Sequence, residues 1–291
     1  MLDFRIHTFL CVCRHMNYTK AAAELHITQP AVSQHIRYLE KEYQAKLFEY
    51  AGKKLRLTQA GHVLFHAATS ICHDTVMLKQ RLHDLQQNNK SIALGATQAI
   101  GDFEILDRLA AFLHDHRDVS IRMKIADTDR LLKAVDEGII DFAIVEGSFD
   151  EGQYETLLFT NEPLMAVCGS AYEAPSEMAA AELLHHRLIV REQHAGIQQL
   201  LQRGLAEHGL TMADFPLRHE MGSTQAVKGL ACCNCGIAFL YERSVQQELR
   251  DGVLKKITIC DFSATQAITF LWRKGNMYST TFREMYDQLK R

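Results

Sequence analysis

The sequence predicts a mainly α-helical winged helix-turn-helix module at the N-terminus, then a long helix, then a larger α/β domain in the remainder of its 291 residues. Three observations carry this reading. Two short helical patterns centred near residues 21 and 36 are separated by a tight turn and followed by a brief alternating stretch. A segment without Gly or Pro then runs through 62–87, and beyond residue 90 strand-like and helix-like segments alternate.

Length and composition support at least two packed domains: 47 % of the residues are hydrophobic and 23 % charged, the balance of a globular chain. No apolar run of roughly 18 residues occurs and the N-terminus has no signal-peptide core, so the expected location is cytoplasmic, without membrane contact. The cysteines at 11, 13, 72, 168, 232, 233, 235 and 260 are too scattered for a disulfide framework and are expected as thiols. The net charge of −3 hides an asymmetry: residues 1–60 hold nine Lys/Arg against five Asp/Glu, and the remainder 23 against 30. A small basic module precedes an acidic one, and basic modules meet polyanions.

In the first helix, over residues 3–15, Ile6, Phe9, Leu10 and Cys13 share one face. The second, "YTKAAAEL" (18–25), has Thr19 as its expected N-cap and an alanine run that permits close helix approach. After the His26-Ile27 turn, Thr28 or Gln29 caps a third helix, and Pro30 fits its first turn, where a missing N–H costs nothing. Val32, Ile36 and Leu39 follow i, i+4, i+7 spacing toward a core, which turns Ser33, Gln34 and Arg37 outward beside Thr28 and Gln29. In a helix-turn-helix such N-terminal residues meet base edges in the major groove. Gln29 suits adenine, Ala31 a thymine methyl, and Thr28, Ser33 and Gln34 suit phosphates or either base type. In "KLFEYAGKKLRLTQAG" (46–61), Leu47-Phe48 anchor a wing whose turn and strand carry Lys53, Lys54 and Arg56 toward the sugar-phosphate backbone. The expected partner is double-stranded DNA.

With those residues in view, 1–61 resembles the DNA-binding domain of the LysR-type transcriptional regulators, carried by "FLCVCRHMNYTKAAAELHITQPAVSQHIRYLE" and "LFEYAGKKLRLTQAG". Two positions depart from the family pattern: Tyr50 stands where arginine is common, and Tyr43-Gln44 replace a usual Leu-Gly turn.

In 62–87, small or apolar residues at Leu64, Ala68, Ile71, Thr75, Leu78, Leu82 and Leu85 alternate in steps of three and four, a coiled-coil seam. The resemblance makes this the linker helix through which two chains dimerise, presenting two readers to an operator with dyad symmetry. It further implies a homotetramer, and contact with RNA polymerase if the protein activates. His62 and His66 have i, i+4 metal spacing but no third ligand beside them, so no metal is expected, and no cofactor. "QQNNKS" (86–91) reads as the hinge.

From 91 onward the alternation argues for an α/β domain with mostly parallel sheet, including helices at about 102–116, 128–138, 196–208 and 279–290. Periodicity leaves one sheet or two lobes open. The resemblance implies two lobes of the type 2 periplasmic-binding-protein kind, 91–161 with 267–291 and 162–266, around an effector cleft. The domain limits are then 1–61, 62–90 and 91–291. Strand "IALGAT" delivers Thr97 and Gln98 to a helix start, and Ser223-Thr224 begin another helix after a strand, places where α/β sheets bind ligands. Thr97, Gln98, Thr128, Ser223 and Thr224 are therefore the candidate effector residues, and facing helix N-termini favour a small organic anion.

In "LACCNCGIAFLY" (230–241), Cys232, Cys233 and Cys235 occupy small-residue positions and Asn234 stands where the family has glycine. The alternative function is therefore a thiol sensor in which these cysteines, rather than a cleft ligand, drive regulation. A packing role for the sulfurs is the simpler account. No nucleophile elbow, phosphate loop or paired-carboxylate signature is present, so no enzyme is expected.

Overall fold

The computed structural model describes residues 3–87, 90–193 and 195–290, without the side chains of 80, 81 and 83–87. It comprises two compact units, residues 1–86 with 136–139, and 87–135 with 140–291.

In the first unit, α1 (Phe4–His15), α2 (Tyr18–Glu24) and α3 (Gln29–Glu42) form a three-helix core, followed by strands β1 (Phe48–Ala51) and β2 (Lys54–Leu57) and the 29-residue α4 (Gln59–Gln87). Phe9 is fully buried and meets Phe48 at a ring separation of 5.5 Å, while Val32, Ile36 and Leu39 of α3 face the same core. The N-cap of α2 is Asn17, whose side chain accepts from the Lys20 N–H, and not Thr19. An amide oxygen three residues ahead of a free N–H is the stronger local acceptor, and Thr19 falls inside the helix. The wing turns at Gly52, whose φ of +64° places the backbone in the left-handed region. Gly61 lets α4 lie against Leu47, since a Cβ there would stand 2.1 Å from the Leu47 carbonyl oxygen.

The expected seam of α4 is shorter than its sequence pattern. Leu64 and Ala68 belong to the core of the first unit, whereas Ile71, Leu78 and Leu82 are about half exposed on one side of the helix. The Leu85 side chain lies outside the described residues.

The second unit follows with β3 (Lys90–Ala96), a π-helical turn at Ile100–Glu104, α5 (Leu106–Asp115), β4 (Val119–Ile125), α6 (Thr128–Asp136) and β5 (Phe142–Glu146). Next come β6 (Tyr154–Gly169), β7 (Glu177–Met178), β8 (Leu188–Arg191), α7 (Gly196–Glu207), β9 (Arg218–Met221) and α8 (Thr224–Cys232). The chain closes with β10 (Ile237–Tyr241), α9 (Glu242–Arg250), β11 (Leu254–Ile259), β12 (Thr265–Arg273) and α10 (Ser279–Lys290). The helix expected at 102–116 therefore starts four residues late, behind the π-helical turn.

The sheet is mixed rather than mostly parallel, in the order β4-β3-β5-β12-β6-β10-β8-β9. The outer pairs β3/β4, β3/β5, β8/β9 and β8/β10 are parallel, but β12 runs antiparallel to both β5 and β6. β6 makes the domain two-lobed: residues 154–163 pair with β12, and 164–168 pair with β10. One 16-residue strand thus belongs to both lobes, a long-range pairing that local periodicity does not register.

Candidate functional site

Two surfaces collect the candidate residues, one in each unit. On the first, α3 opens with the Thr28 hydroxyl accepting from the Ala31 N–H at 3.4 Å and Pro30 in the first turn. Thr28 is therefore the N-cap, and Gln29 is the first helical residue. Thr28, Gln29, Pro30, Gln34 and Arg37 are exposed, with Ala31 and Ser33 half-buried beside them. The Gln29 amide donates to the Ser33 hydroxyl at 3.0 Å, so the two residues expected to meet bases hold one another along the helix edge. Lys53, Lys54 and Arg56 are exposed on the wing, and neither they nor Arg37 makes an ion pair with a described residue. Tyr50 is 69 % exposed on the same hairpin. The apolar face packed inward, the polar helix edge and the unpaired cations together form a surface able to engage a phosphate backbone and the groove beside it.

In the second unit a cavity of about 390 Å³ opens at the carboxyl ends of β3, β5 and β8. Thr97, Gln98, Thr128, Glu146 and Arg191 line it, together with the start of α7. β3 and β5 belong to one lobe, β8 and α7 to the other, so the cavity lies between them. Thr97 follows β3 directly and is 3 % exposed, its hydroxyl without a described partner. The Thr128 hydroxyl donates to the Glu146 carbonyl at 2.8 Å, tying α6 to β5.

Ser223 and Thr224 do not line this cavity. Ser223 caps α8 by accepting from the Ala226 N–H at 3.1 Å. Thr224 is fully buried and accepts from Arg191 Nη1 at 2.9 Å, so it positions the guanidinium from behind. The Ser223 hydroxyl is committed to its cap and the Thr224 hydroxyl to a buried partner, which the sequence pattern of a strand followed by Ser-Thr does not reveal.

Glu146 and Arg191 escaped the sequence reading. Both are charged residues closing a fully buried strand, "FAIVE" and "LIVR", at the edge where α/β sheets take ligands, and that is the signal that marks them. Burial pushes the Glu146 carboxyl up, against the opposing pull of the Tyr241 phenol and the Arg191 guanidinium. Burial likewise raises Asp102, which Arg191 draws the other way. Gly196 allows the N-terminus of α7 to reach Glu146, since a Cβ at 196 would stand 2.6 Å from the Glu146 Cγ. Glu146 Oε2 and Arg191 Nε are buried without a hydrogen-bond partner among the described residues. Unmet polar atoms of both signs at one cavity suit a small polar ligand that supplies the missing partners.

The three cysteines of the α8–β10 connection differ from one another. Cys233 is exposed, Cys232 and Cys235 are half-buried, and burial with the nearby Glu248 raises the Cys232 thiol. Asn234 holds the left-handed turn between them at φ +61°.

A winged helix-turn-helix, a long helix and a two-lobed α/β domain with a polar interlobe cavity define a ligand-responsive DNA-binding regulator. Residues 5–62 match the bacterial regulatory helix-turn-helix protein model of the lysR family, and residues 85–291 match the LysR substrate binding domain. The chain belongs to the LysR family of transcriptional regulators, proteins that bind DNA through the first domain and a small-molecule effector through the second. Among curated relatives, the RuBisCO operon transcriptional regulator of Allochromatium vinosum is 26 % identical over 96 % of this chain and 93 % of its own. Among solved structures, an OxyR variant of Corynebacterium glutamicum with hydrogen peroxide bound superposes with a TM-score of 0.62 at 17 % identity, covering 99 % of this chain and 91 % of that one. The effector binding domain of QuiR in complex with shikimate gives 0.59 at 18 % identity, over 70 % of this chain and 96 % of that one.

Proposed function

We propose that two copies of this regulator, joined through the exposed Ile71, Leu78 and Leu82 of α4, read an operator of dyad symmetry, with a tetramer as the assembled form in the cytoplasm. Gln29, Ala31 and Ser33 meet base edges. Thr28, Pro30 and Gln34 seat the start of α3, and Arg37, Lys53, Lys54 and Arg56 meet phosphates. The effector is a small organic anion held between the lobes. Arg191 meets its charge and the Thr97, Gln98 and Thr128 side chains orient it, while Ser223 and Thr224 act indirectly, through α8 and through Arg191.

The observation that carries this reading is Arg191, which lines the cavity: a guanidinium 7 % exposed, held from behind by Thr224, paired with Glu192 at 3.1 Å, and with a buried Nε that has no hydrogen-bond partner among the described residues. The shikimate held by the QuiR effector domain is itself an organic acid, which favours the same ligand class. Effector binding shifts the population of lobe arrangements, and the shift passes to how paired dimers hold or bend DNA and, for an activator, to RNA polymerase.

The test uses the full chain on a duplex selected from a random pool, followed by fluorescence anisotropy and footprinting, with a panel of C3–C7 hydroxy- and dicarboxylic acids. At least one acid is expected to alter the footprint of the wild type, and Arg191→Ala should abolish that response while leaving effector-free DNA affinity intact. Absence of sequence-selective binding would refute the DNA-reading assignment, and a full response in Arg191→Ala would refute the cleft assignment.

A further inference from the structure

Within the first unit, on α1 and α2, three metal-ligating side chains of different chemistry converge. Cys11 Sγ, one imidazole nitrogen of His15 and one carboxylate oxygen of Glu24 all lie within 4.8 Å of one another. Cys11 and His15 are one turn apart on α1 and so share a face, and Glu24 is the last residue of α2. His15 Nε2 stands 2.6 Å from Glu24 Oε2, and both side chains are partly exposed, at 32 % and 40 %. The thiol lies beneath them, fully buried, 3.8 Å from the Ala21 carbonyl oxygen.

We infer that Cys11, His15 and Glu24 form a binding site for one zinc-class divalent ion, which clamps α1 to α2 directly ahead of the recognition helix. A thiolate, an imidazole and a carboxylate are the mixed donor set that zinc accepts, and oxygen-seeking Mg²⁺ and Ca²⁺ do not favour it. Three protein ligands leave a fourth, outward position for water, which the partial exposure of His15 and Glu24 permits. Ligand atoms around tetrahedral zinc stand about 3.5 Å apart, so side-chain adjustments of about 1 Å complete the geometry from the present positions.

Glu24 is prepared for this role. Its Oε1 is bonded by Arg14 at 2.7 Å, which orients the carboxylate and leaves Oε2 toward His15 and Cys11. The Cys11 thiol gives up its proton to solvent when it ligates, so affinity rises with pH. Only three residues separate Glu24 from Thr28, the N-cap of α3, and His26 between them has a left-handed φ of +54°. An ion at this point therefore steadies the turn that aims the base-reading helix.

The full chain, stripped with chelator and returned to neutral buffer, is titrated with Co²⁺ and then Zn²⁺. One equivalent of Co²⁺ should produce a near-ultraviolet sulfur-to-cobalt charge-transfer band with intense visible bands of four-coordination, and Zn²⁺ should displace both. Cys11→Ser should abolish the charge-transfer band and weaken affinity by more than about 100-fold, the upper range for merely outer-sphere partners. His15→Ala, at a partly exposed position where folding is not at stake, should weaken it comparably, while the triple variant Cys232→Ser/Cys233→Ser/Cys235→Ser should retain the band in full. Zn²⁺ should also raise the melting temperature of the wild type but not of His15→Ala. No charge-transfer band, a band that survives in Cys11→Ser or His15→Ala, or a band lost in the triple variant would each overturn the assignment.

Discussion

Replacing Lys54 by Ala probes the wing without touching any packed contact. Lys54 sits at the start of β2, across from Ala51, with an exposed side chain and no ion pair among the described residues. Its charge therefore has no intramolecular use to confuse the result. Each phosphate neutralised on B-DNA contributes a slope of about −0.9 to log K against log[salt], so one contact weakens about 3.5-fold between 50 and 200 mM salt. In a dimer the lysine occurs twice. The slope for Lys54→Ala should then be shallower by about 1.8, and its affinity deficit relative to wild type should shrink about 12-fold across that salt range. Fluorescence anisotropy on selected and random duplexes, at four salt concentrations, measures both quantities. The deficit should be nearly the same on the two duplexes, because a phosphate contact carries no sequence. Lys90→Ala serves as the control, since Lys90 is paired with Asp118 in the other unit, and should leave the slope unchanged. An unaltered slope in Lys54→Ala, or a loss confined to the selected duplex, would refute the reasoning.

The same assay should separate Gln29→Ala, which is expected to cost about 1–3 kcal/mol of discrimination at one base pair of each half-site while leaving random-duplex affinity nearly constant. Gln44 has a left-handed φ of +50° at the helix-to-wing turn, so Gln44→Gly should raise stability by up to about 1 kcal/mol in urea unfolding; a loss would show that its side chain stabilises the turn. Burial and the neighbouring Glu104 push Glu162, in β6, up to about 7, against an ordinary 4.5. The folded state therefore holds a proton that the unfolded chain releases, and stability should fall as pH rises from about 4.5 to about 7 and level off above, a decline that Glu162→Gln should reduce in pH-dependent melting. For the cysteines, the exposed Cys233 should be alkylated quickly and Cys232 slowly; loss of Cys233 or Cys235 labelling after peroxide would support the thiol-sensor alternative, and uniformly slow labelling would refute it.

Much of the first unit was legible because its information is local. The Thr28-Gln29-Pro30 helix start, the 32/36/39 core face and the Lys53-Lys54 turn depend on residues within a few positions of one another, and all three stand where the spacing places them. The exceptions are instructive. Asn17 took the cap expected of Thr19, and Gln44 and Asn234 hold left-handed turns where the family pattern has glycine, so in those turns the conformation outlasts the residue that best suits it. In the second unit, strands and helices were legible while their pairing was not. Thr97, Gln98 and Thr128 reached the cavity because the end of a strand and the start of a helix are sequence features. Ser223 and Thr224 have the same local features and stand behind it.

By itself, then, the amino-acid order determined the reading helix, its wing, the long α4 and the α/β class, because capping, periodicity and turn chemistry act over one to a few turns of chain. Only the tertiary structure decided that β6 belongs to both lobes, that Glu146 and Arg191 meet 45 residues apart in sequence, and that Cys11 and His15 face Glu24. Each is set by how whole sheets and helices pack. The lobes of β6 and the pair Glu146 and Arg191 join distant segments, while Cys11, His15 and Glu24 lie within 14 residues but on two helices whose packing alone decides their approach.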